Sequence, residues 1–285
     1  MAFIECVALT HVYLKGTPME TVALRGVTLA MDEGEFVGII GPTGSGKSTL
    51  IQHFNALLRP TEGVVRVNGI DLSDRRADLR SIRQQVGLLF QYPEQQLFEE
   101  TVFDDVAFGP RNLGLPADEV KDRVHESLTQ VGIDPAQFGG RSPFSLSGGE
   151  MRRVAIAGVL AMAPTVLILD EPAAGLDPRG KREILNQIRA LHVQRGLTVI
   201  AVTHSMDEAA QLVGRLVVLH EGRIFLDGPV REVFTQAEAL TAIGLGIPTV
   251  TLLMQRLRRQ GIPVRADALT VEEARMAIRE ALGWS

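Results

Sequence analysis

An apolar pentapeptide that runs straight into a glycine-rich loop constrains this chain most. Phe36-Val37-Gly38-Ile39-Ile40 is uncharged and bracketed by Gly34 and Gly41, the pattern of a strand buried on both faces. Gly41-Pro42-Thr43-Gly44-Ser45-Gly46-Lys47-Ser48 follows at once. Ser48 to Leu58 then has helical spacing in Leu50, Ile51, Phe54, Leu57 and Leu58, and stops before Pro60. Strand, G-x-x-x-x-G-K-[ST] loop and helix together form a phosphate-binding unit. The glycines let backbone amides turn inward without a Cβ in the way, and the helix start aims its positive end at the anion. Lys47 supplies a point charge near the β- and γ-phosphates, and the Ser48 hydroxyl is a ligand for Mg²⁺. Residues 41–49, ending at Thr49, are the expected phosphate-binding segment.

Other apolar runs recur along the chain. Val86 to Phe90, Val166 to Leu169 and Leu197 to Val202 read as strands, and Pro178 to Arg195 and Ser205 to Val213 as helices after the last two. Strands alternating with helices imply a mostly parallel sheet covered on both faces. Val64 to Val67 with Asn68-Gly69 reads as an N-terminal hairpin, and Leu216 to Leu219 with Arg223 to Leu226 as a closing one, turning at Glu221-Gly222. From about Pro93 to Phe144, Gly and Pro pairs punctuate helical patterns such as Asp118 to Val131, predicting a helical insertion. Beyond about Gln236 strand patterns stop, leaving a small helical appendage.

Two further loops carry chemistry. Asp170-Glu171 ends the Val166 to Leu169 strand, which puts two carboxylates at the carboxyl edge of a parallel sheet, where α/β ligands bind. Asp170 suits Mg²⁺ and Glu171 suits polarising an attacking water. Leu146-Ser147-Gly148-Gly149-Glu150 is a second glycine-rich turn ahead of a helix, Met151 to Met162. One chain thus offers two phosphate-type helix starts but acidic residues for one nucleotide, so the second start is expected to serve another subunit's nucleotide. His204 lies just past a strand on the same edge as Asp170, in reach of a γ-phosphate.

Composition removes several alternatives. The single cysteine, Cys6, excludes a disulfide framework and Cys-rich metal sites, and fits a reducing compartment. A formal net charge of −5 argues against nucleic acid as a partner. The longest uncharged stretch, Val154 to Leu169, falls short of the roughly 20 residues a spanning helix needs, and Pro164 divides it. Met1 to Lys15 has no basic segment followed by an apolar one, so no secretory signal is expected. Arg75, Arg76, Arg80 and Arg83, and likewise Arg256, Arg258 and Arg259, read as solvated faces.

In this order the motifs resemble the ATPase subunits of ATP-binding-cassette (ABC) transporters, over residues 3 to about 230. The resemblance makes Gly41–Ser48 the Walker A loop, Gln91 the Q-loop glutamine and Leu146–Glu150 the signature. It makes Val166–Glu171 the Walker B strand, Ala174-Gly175-Leu176-Asp177 the D-loop and His204 the switch histidine. Tyr13 falls where the family stacks an aromatic on adenine. A narrower likeness is to the energy-coupling-factor (ECF) transporter ATPases, of the second type. It is carried by Tyr13 to Leu24, by Phe90-Gln91-Tyr92-Pro93-Glu94-Gln95-Gln96-Leu97-Phe98-Glu99-Glu100-Thr101-Val102, and by Ser142-Pro143-Phe144 with Met151 to Met162. Glu150 departs from the glutamine of many members, and Ala173 from the usual Thr or Ser.

The resemblance implies an α/β P-loop NTPase fold of ABC type. Its parts are a RecA-like sheet, an N-terminal antiparallel subdomain, a helical subdomain at about 93–160, an ATPase domain over 1–235 and a small C-terminal domain over 236–285. It implies ATP and Mg²⁺ as cofactors, with Ser48, Gln91 and Asp170 on the metal, Glu171 as general base and His204 and Lys47 on the γ-phosphate. It implies a head-to-tail pair with a second ATPase, the same chain or a relative, in which Ser147, Gly148, Gly149 and Glu150 act in trans and Asp177 sits at the dimer contact. It also implies a transmembrane coupling protein and a substrate-binding membrane subunit at the cytoplasmic face of the membrane, with Leu97, Phe98 and Val102 as the expected contact. The expected function is to power vitamin or metal-ion uptake. A general ABC importer for another solute is the alternative. A soluble cassette ATPase is more remote, because there is one phosphate loop and no heptad run.

Overall fold

A computed structural model describes residues 2–284. Its strands are β1 (Ile4–Tyr13), β2 (Thr21–Met31), β3 (Phe36–Ile40), β4 (Glu62–Val67), β5 (Ile70–Asp71), β6 (Val86–Leu89), β7 (Val166–Asp170), β8 (Thr198–Val202), β9 (Arg215–His220) and β10 (Arg223–Pro229). Its helices are α1 (Lys47–Phe54), α2 (Leu79–Gln85), α3 (Val102–Leu113), α4 (Ala117–Gln130), α5 (Pro135–Phe138), α6 (Gly148–Leu160), α7 (Pro178–Arg195), α8 (Met206–Leu212), α9 (Val230–Thr235), α10 (Ala237–Ala242), α11 (Thr249–Arg259) and α12 (Val271–Ala281).

The larger sheet has six strands in the order β10-β9-β3-β8-β7-β6, and only β10 runs antiparallel to its neighbour. Side chains alternate across it with period two. Val37, Ile39, Ile168, Ile200 and Val217 enter one core with Leu50, Ile51 and Phe54 of α1. Phe36, Ile40, Leu167, Leu169, Val199 and Val218 enter another, facing residues of α3, α4, α6 and α7. Both faces are therefore dry, as the continuous apolar runs require. The smaller sheet, β2-β1-β4-β5, is antiparallel and packs its apolar side into the α1 core.

The segment α3–α6 is inserted between β6 and β7, which pair directly with Leu89 opposite Leu169. Its apolar stripes, including Val106, Val124, Leu128 and Val154, close on one another. Helix α1 ends at Phe54, earlier than its spacing predicts. Ala56 takes a left-handed φ of 54°, and the Asn55 amide turns inward to donate to the Val86 carbonyl. Past α9 the chain is helical. Leu240 and Leu245 still join the main core, whereas Met254, Val264, Ala268, Ala274 and Ala277 form a separate small cluster.

Candidate active site

β3 delivers the chain to the sheet's carboxyl edge, and the loop there has no room for side chains at two positions. A Cβ on Gly41 would lie 2.2 Å from the Leu219 carbonyl oxygen, and one on Gly46 would lie 2.6 Å from that of Ala23. Gly46 also needs φ +102° to start α1, whose first turn carries no acidic side chain. The open amides and helix dipole therefore face the loop unopposed. Lys47 is buried and folds back over the loop, donating from Nζ to the carbonyls of Gly41 (2.8 Å) and Pro42 (3.0 Å). Burial pulls its pKa down, against the pull of Glu171 and Asp170. An anion that replaces those carbonyls would satisfy the charge better than neutral oxygens do. Ser45 Oγ, buried in the same loop, has no hydrogen-bond partner in the chain.

Strand β7 brings the acidic pair alongside. Ser48 Oγ donates to Asp170 Oδ2 at 3.2 Å, so the two oxygen donors expected on Mg²⁺ meet. Burial raises the Asp170 pKa, and the Ser48 hydrogen bond and Lys47 oppose the rise. Among the described residues, no cluster of three or more His, Cys, Asp or Glu side chains forms a metal cage. One carboxylate and one hydroxyl fit a cation that keeps waters and leans on substrate phosphates, as Mg²⁺ does. Gln91 is exposed and lies two residues past the end of β6, the strand that pairs with β7.

Glu171 sits in the left-handed region, φ 53°, with its N–H bonded to the Val202 carbonyl at 2.9 Å. Such strain is expected where surrounding structure fixes a functional side chain. Glu171 Oε1 is buried and lies 3.3 Å from His204 Nε2, without the alignment of a hydrogen bond. Burial raises its pKa to about 7, and Asp170 and Glu208 add to the rise. His204 is half exposed, and desolvation followed by repulsion from Lys47 lowers its pKa.

Tyr13 ends β1 beside α1, its hydroxyl 3.1 Å from Thr49 Oγ1 and its ring edge-on to His11 at 4.4 Å. Tyr13 is exposed at the surface.

The signature turn lies elsewhere. Ser147 caps α6 through Glu150 N–H (3.4 Å), and Glu150 Oε2 accepts from Ser147 N–H (2.8 Å) and Oγ (2.6 Å). This is a capping box, which Glu and Gln serve equally, so the departure at Glu150 leaves the turn intact. Ser147, Gly148 and Gly149 line a cavity of about 390 Å³ with Asp177 and Leu176. A different cavity, of about 530 Å³, holds Gly41–Thr43 and His204, and the two share no residue. Asp177 caps α7, accepting from Gly180 N–H at 3.0 Å. Ala173 is buried in the turn after Glu171.

One expected surface is corrected. Val102 is fully buried at the start of α3 and Leu97 is buried in the same core. Both are apolar and belong to the core of the insertion, so Val102 presents no surface to a partner and Leu97 reaches only the wall of a cavity. Phe98 is 57% exposed, edge-on to Phe108 at 4.9 Å. With Leu97 as floor, both rings line a cavity of about 640 Å³.

Sequence reasoning passed over Arg152. It is buried, donates to the carbonyls of Pro172 (3.0 Å) and Ala174 (2.7 Å), and reaches Glu94 at 3.3 Å. It thereby ties the signature helix to the turn after Glu171 and to the segment after Gln91. The one available signal was an arginine at a helix position whose neighbours at helical spacing are core.

The family model described as "ABC transporter" matches residues 24–174. The energy-coupling factor transporter ATP-binding protein EcfA2 of Symbiobacterium thermophilum is 56% identical over 275 residues, 96% of this chain and 95% of that protein. EcfA2 of Caldanaerobacter subterraneus is 54% identical over 266 residues, covering 93% of each. The chain belongs to the ABC transporter family, among the energy-coupling-factor ATP-binding proteins. This ABC ATPase also resembles solved cassettes. The structure of cbiO1 from Clostridium perfringens, described as part of the ABC transporter complex cbiONQ, matches with TM-score 0.76 at 36% identity, over 91% of this chain and 98% of that one. The dimeric cassette MJ0796, in a post-hydrolysis state with ADP and Pi, matches with TM-score 0.71 at 31% identity, over 80% and 98%.

Proposed function

We propose that this ATPase powers an ECF-type importer of a vitamin or metal ion, peripheral at the cytoplasmic membrane face. In this reading a head-to-tail pair of ATPases, two copies or this chain and a relative, drives a transmembrane coupling protein and a substrate-binding membrane subunit. The observation that carries it is the division of the machinery. Lys47, Ser48, Asp170, Glu171 and His204 converge at one sheet edge, while Ser147, Gly149 and Asp177 line a separate cavity. A chain with half a site at each of two places is complete only beside a second ATPase.

In this reading Tyr13 stacks on adenine, residues 41–49 cradle the phosphates, and Ser147, Gly148, Gly149 and Glu150 close from the partner. Ser48, Asp170 and Gln91 would hold Mg²⁺, which when bound neutralises charge between the β- and γ-phosphates. Glu171 accepts a proton from the attacking water, a role suited to a carboxyl whose pKa lies near neutrality. His204 and Lys47 hold the γ-phosphate as charge spreads over its oxygens. Because both faces are needed, ATP affinity and dimer closure are linked. The cassette occupies 1–235, with its helical subdomain at about 93–160, and the small separate core supports a C-terminal domain over 236–285. No helix among the described residues is long and apolar enough to cross a membrane, so the span would come from partners. Affinity purification from gently solubilised membranes tests this. A membrane scaffold and a second ATPase are expected to co-purify, and recovery of the chain alone would contradict it.

A further inference from the structure

A hydrogen-bonded pair brings α11 to the catalytic edge. Asp207, three residues after His204, accepts at Oδ1 from Thr249 N–H (2.7 Å) and at Oδ2 from Thr249 Oγ1 (2.8 Å). Thr249 is the first residue of α11, whose N-cap, Pro248, offers no side-chain acceptor. Asp207 therefore does from a distance what a local cap would do, with a full negative charge at a helix N-terminus. The preceding segment, Gly244 to Ile247, shares the cavity of about 530 Å³ with Gly41–Thr43 and His204. Leu245 anchors that segment in the main core, which also holds Met206 of α8.

The turn carrying His204 is held from its other side too. Thr203 Oγ1 donates to Glu208 Oε2 at 2.9 Å and accepts from Ser205 N–H at 3.0 Å. Lys181 of α7, the helix capped by Asp177, reaches Glu208 Oε1 at 2.5 Å. Glu208 thus holds Thr203 through its carboxylate, and its N–H donates to Ser205 Oγ, so both neighbours of His204 are tied to it. Asp207, beside Glu208, ties α8 to the appendage.

We propose that Asp207 is a positioning residue and that the Asp207–Thr249 contact lets the C-terminal appendage set the placement of His204 against the γ-phosphate. The inference rests on the assignment of His204 to the γ-phosphate. When the contact is made, segment 244–249 backs the turn and His204 stays in reach of the phosphate loop. When it is lost, the turn keeps its Glu208 bonds but gains freedom on the appendage side, and small displacements of a group near a reacting centre are expensive in rate.

The test measures ATP turnover against ATP concentration for the full-length chain purified with its membrane complex. Asp207→Ala is expected to lower kcat about tenfold with KM for ATP unchanged within about twofold. Thr249→Val, which keeps the backbone N–H, is expected to lose about threefold, and Thr249→Ser, which also keeps the hydroxyl, to retain the native rate. His204→Ala, run alongside, is expected to be nearly inactive. A native kcat in Asp207→Ala beside an inactive His204→Ala would overturn the inference while leaving the His204 assignment standing. A parallel fall in kcat, ATP affinity and Tm in Asp207→Ala, or a Thr249→Ser as impaired as Thr249→Val, would overturn it in favour of a purely structural tie. A fully active His204→Ala would overturn the assignment and the inference together.

Discussion

Glu171 Oε1 and His204 Nε2 lie 3.3 Å apart at the sheet's carboxyl edge, neither satisfying the other with an aligned hydrogen bond. Two groups that could neutralise one another are instead held ready, with the Glu171 pKa raised to about 7 and the His204 pKa lowered. Burial contributes most to both shifts. A bridging water or phosphate oxygen would find an acceptor on one side and a ring nitrogen on the other.

Replacing Glu150 by Gln should keep the capping box and remove one negative charge from the signature turn, which in the proposed head-to-tail pair would face the partner's nucleotide. Tm is expected to stay within about 1 °C, since only an exposed charge changes. The ATP concentration for half-maximal dimer closure, read by light scattering, should fall severalfold. Ser147→Ala should instead lower stability by about 1 kcal/mol.

Arg152→Ala leaves the Pro172 and Ala174 carbonyls and the Glu94 carboxylate without their donor. Breaking a buried charged network of this kind costs about 3 kcal/mol. The denaturant midpoint should drop accordingly with the slope unchanged, which urea titration reads. Turnover at a temperature where the variant stays folded should fall as well, because the turn after Glu171 loses its tie.

Phe98→Ala should leave ATP hydrolysis and Tm nearly unchanged, since the ring is mostly exposed and rests only edge-on against Phe108. Recovery of the membrane partner by affinity purification should decline. Loss of the fold would make Phe98 a core residue after all.

His53 is buried on α1, donates from Nδ1 to the Thr49 carbonyl at 2.7 Å, and has its pKa lowered to about 4, first by desolvation. The unfolded chain takes up that proton near pH 6.5 and the folded one only near 4. Stability from this residue is therefore full above pH 6.5 and declines as pH falls toward 4, by roughly 3 kcal/mol in all. Calorimetry at pH 7.5 and pH 5 should show a smaller Tm loss for His53→Leu than for the native chain.

Much of this was legible because the chemistry and the sheet share a signal. Apolar runs that end in Gly41 and in Asp170 marked both the strands and the edge where ligands gather, and Pro178 to Arg195 matched its helix at both ends. The strands β1 and β2 did not read individually. Their ladder shifts register between Cys6 and Leu9 and again before Val12, and Ala8 takes φ 48°, so the period-two pattern is broken. Residue type also gave no reason to choose Gln91, a neutral side chain whose place depends on β6 lying beside β7. Arg152 and the Asp207–Thr249 pair depend on contacts between distant parts of the chain, to which local periodicity is blind.

The central claim is that ATP hydrolysis depends on Glu171 within a site completed by a second ATPase. The most direct measurement pairs steady-state turnover of Glu171→Gln with its ATP-dependent association in Mg²⁺. The account predicts turnover lowered by at least about a hundredfold, consistent with loss of a general base, with ATP still bound and the closed dimer accumulating. Native turnover in that variant, or ATP binding with no association, would contradict it.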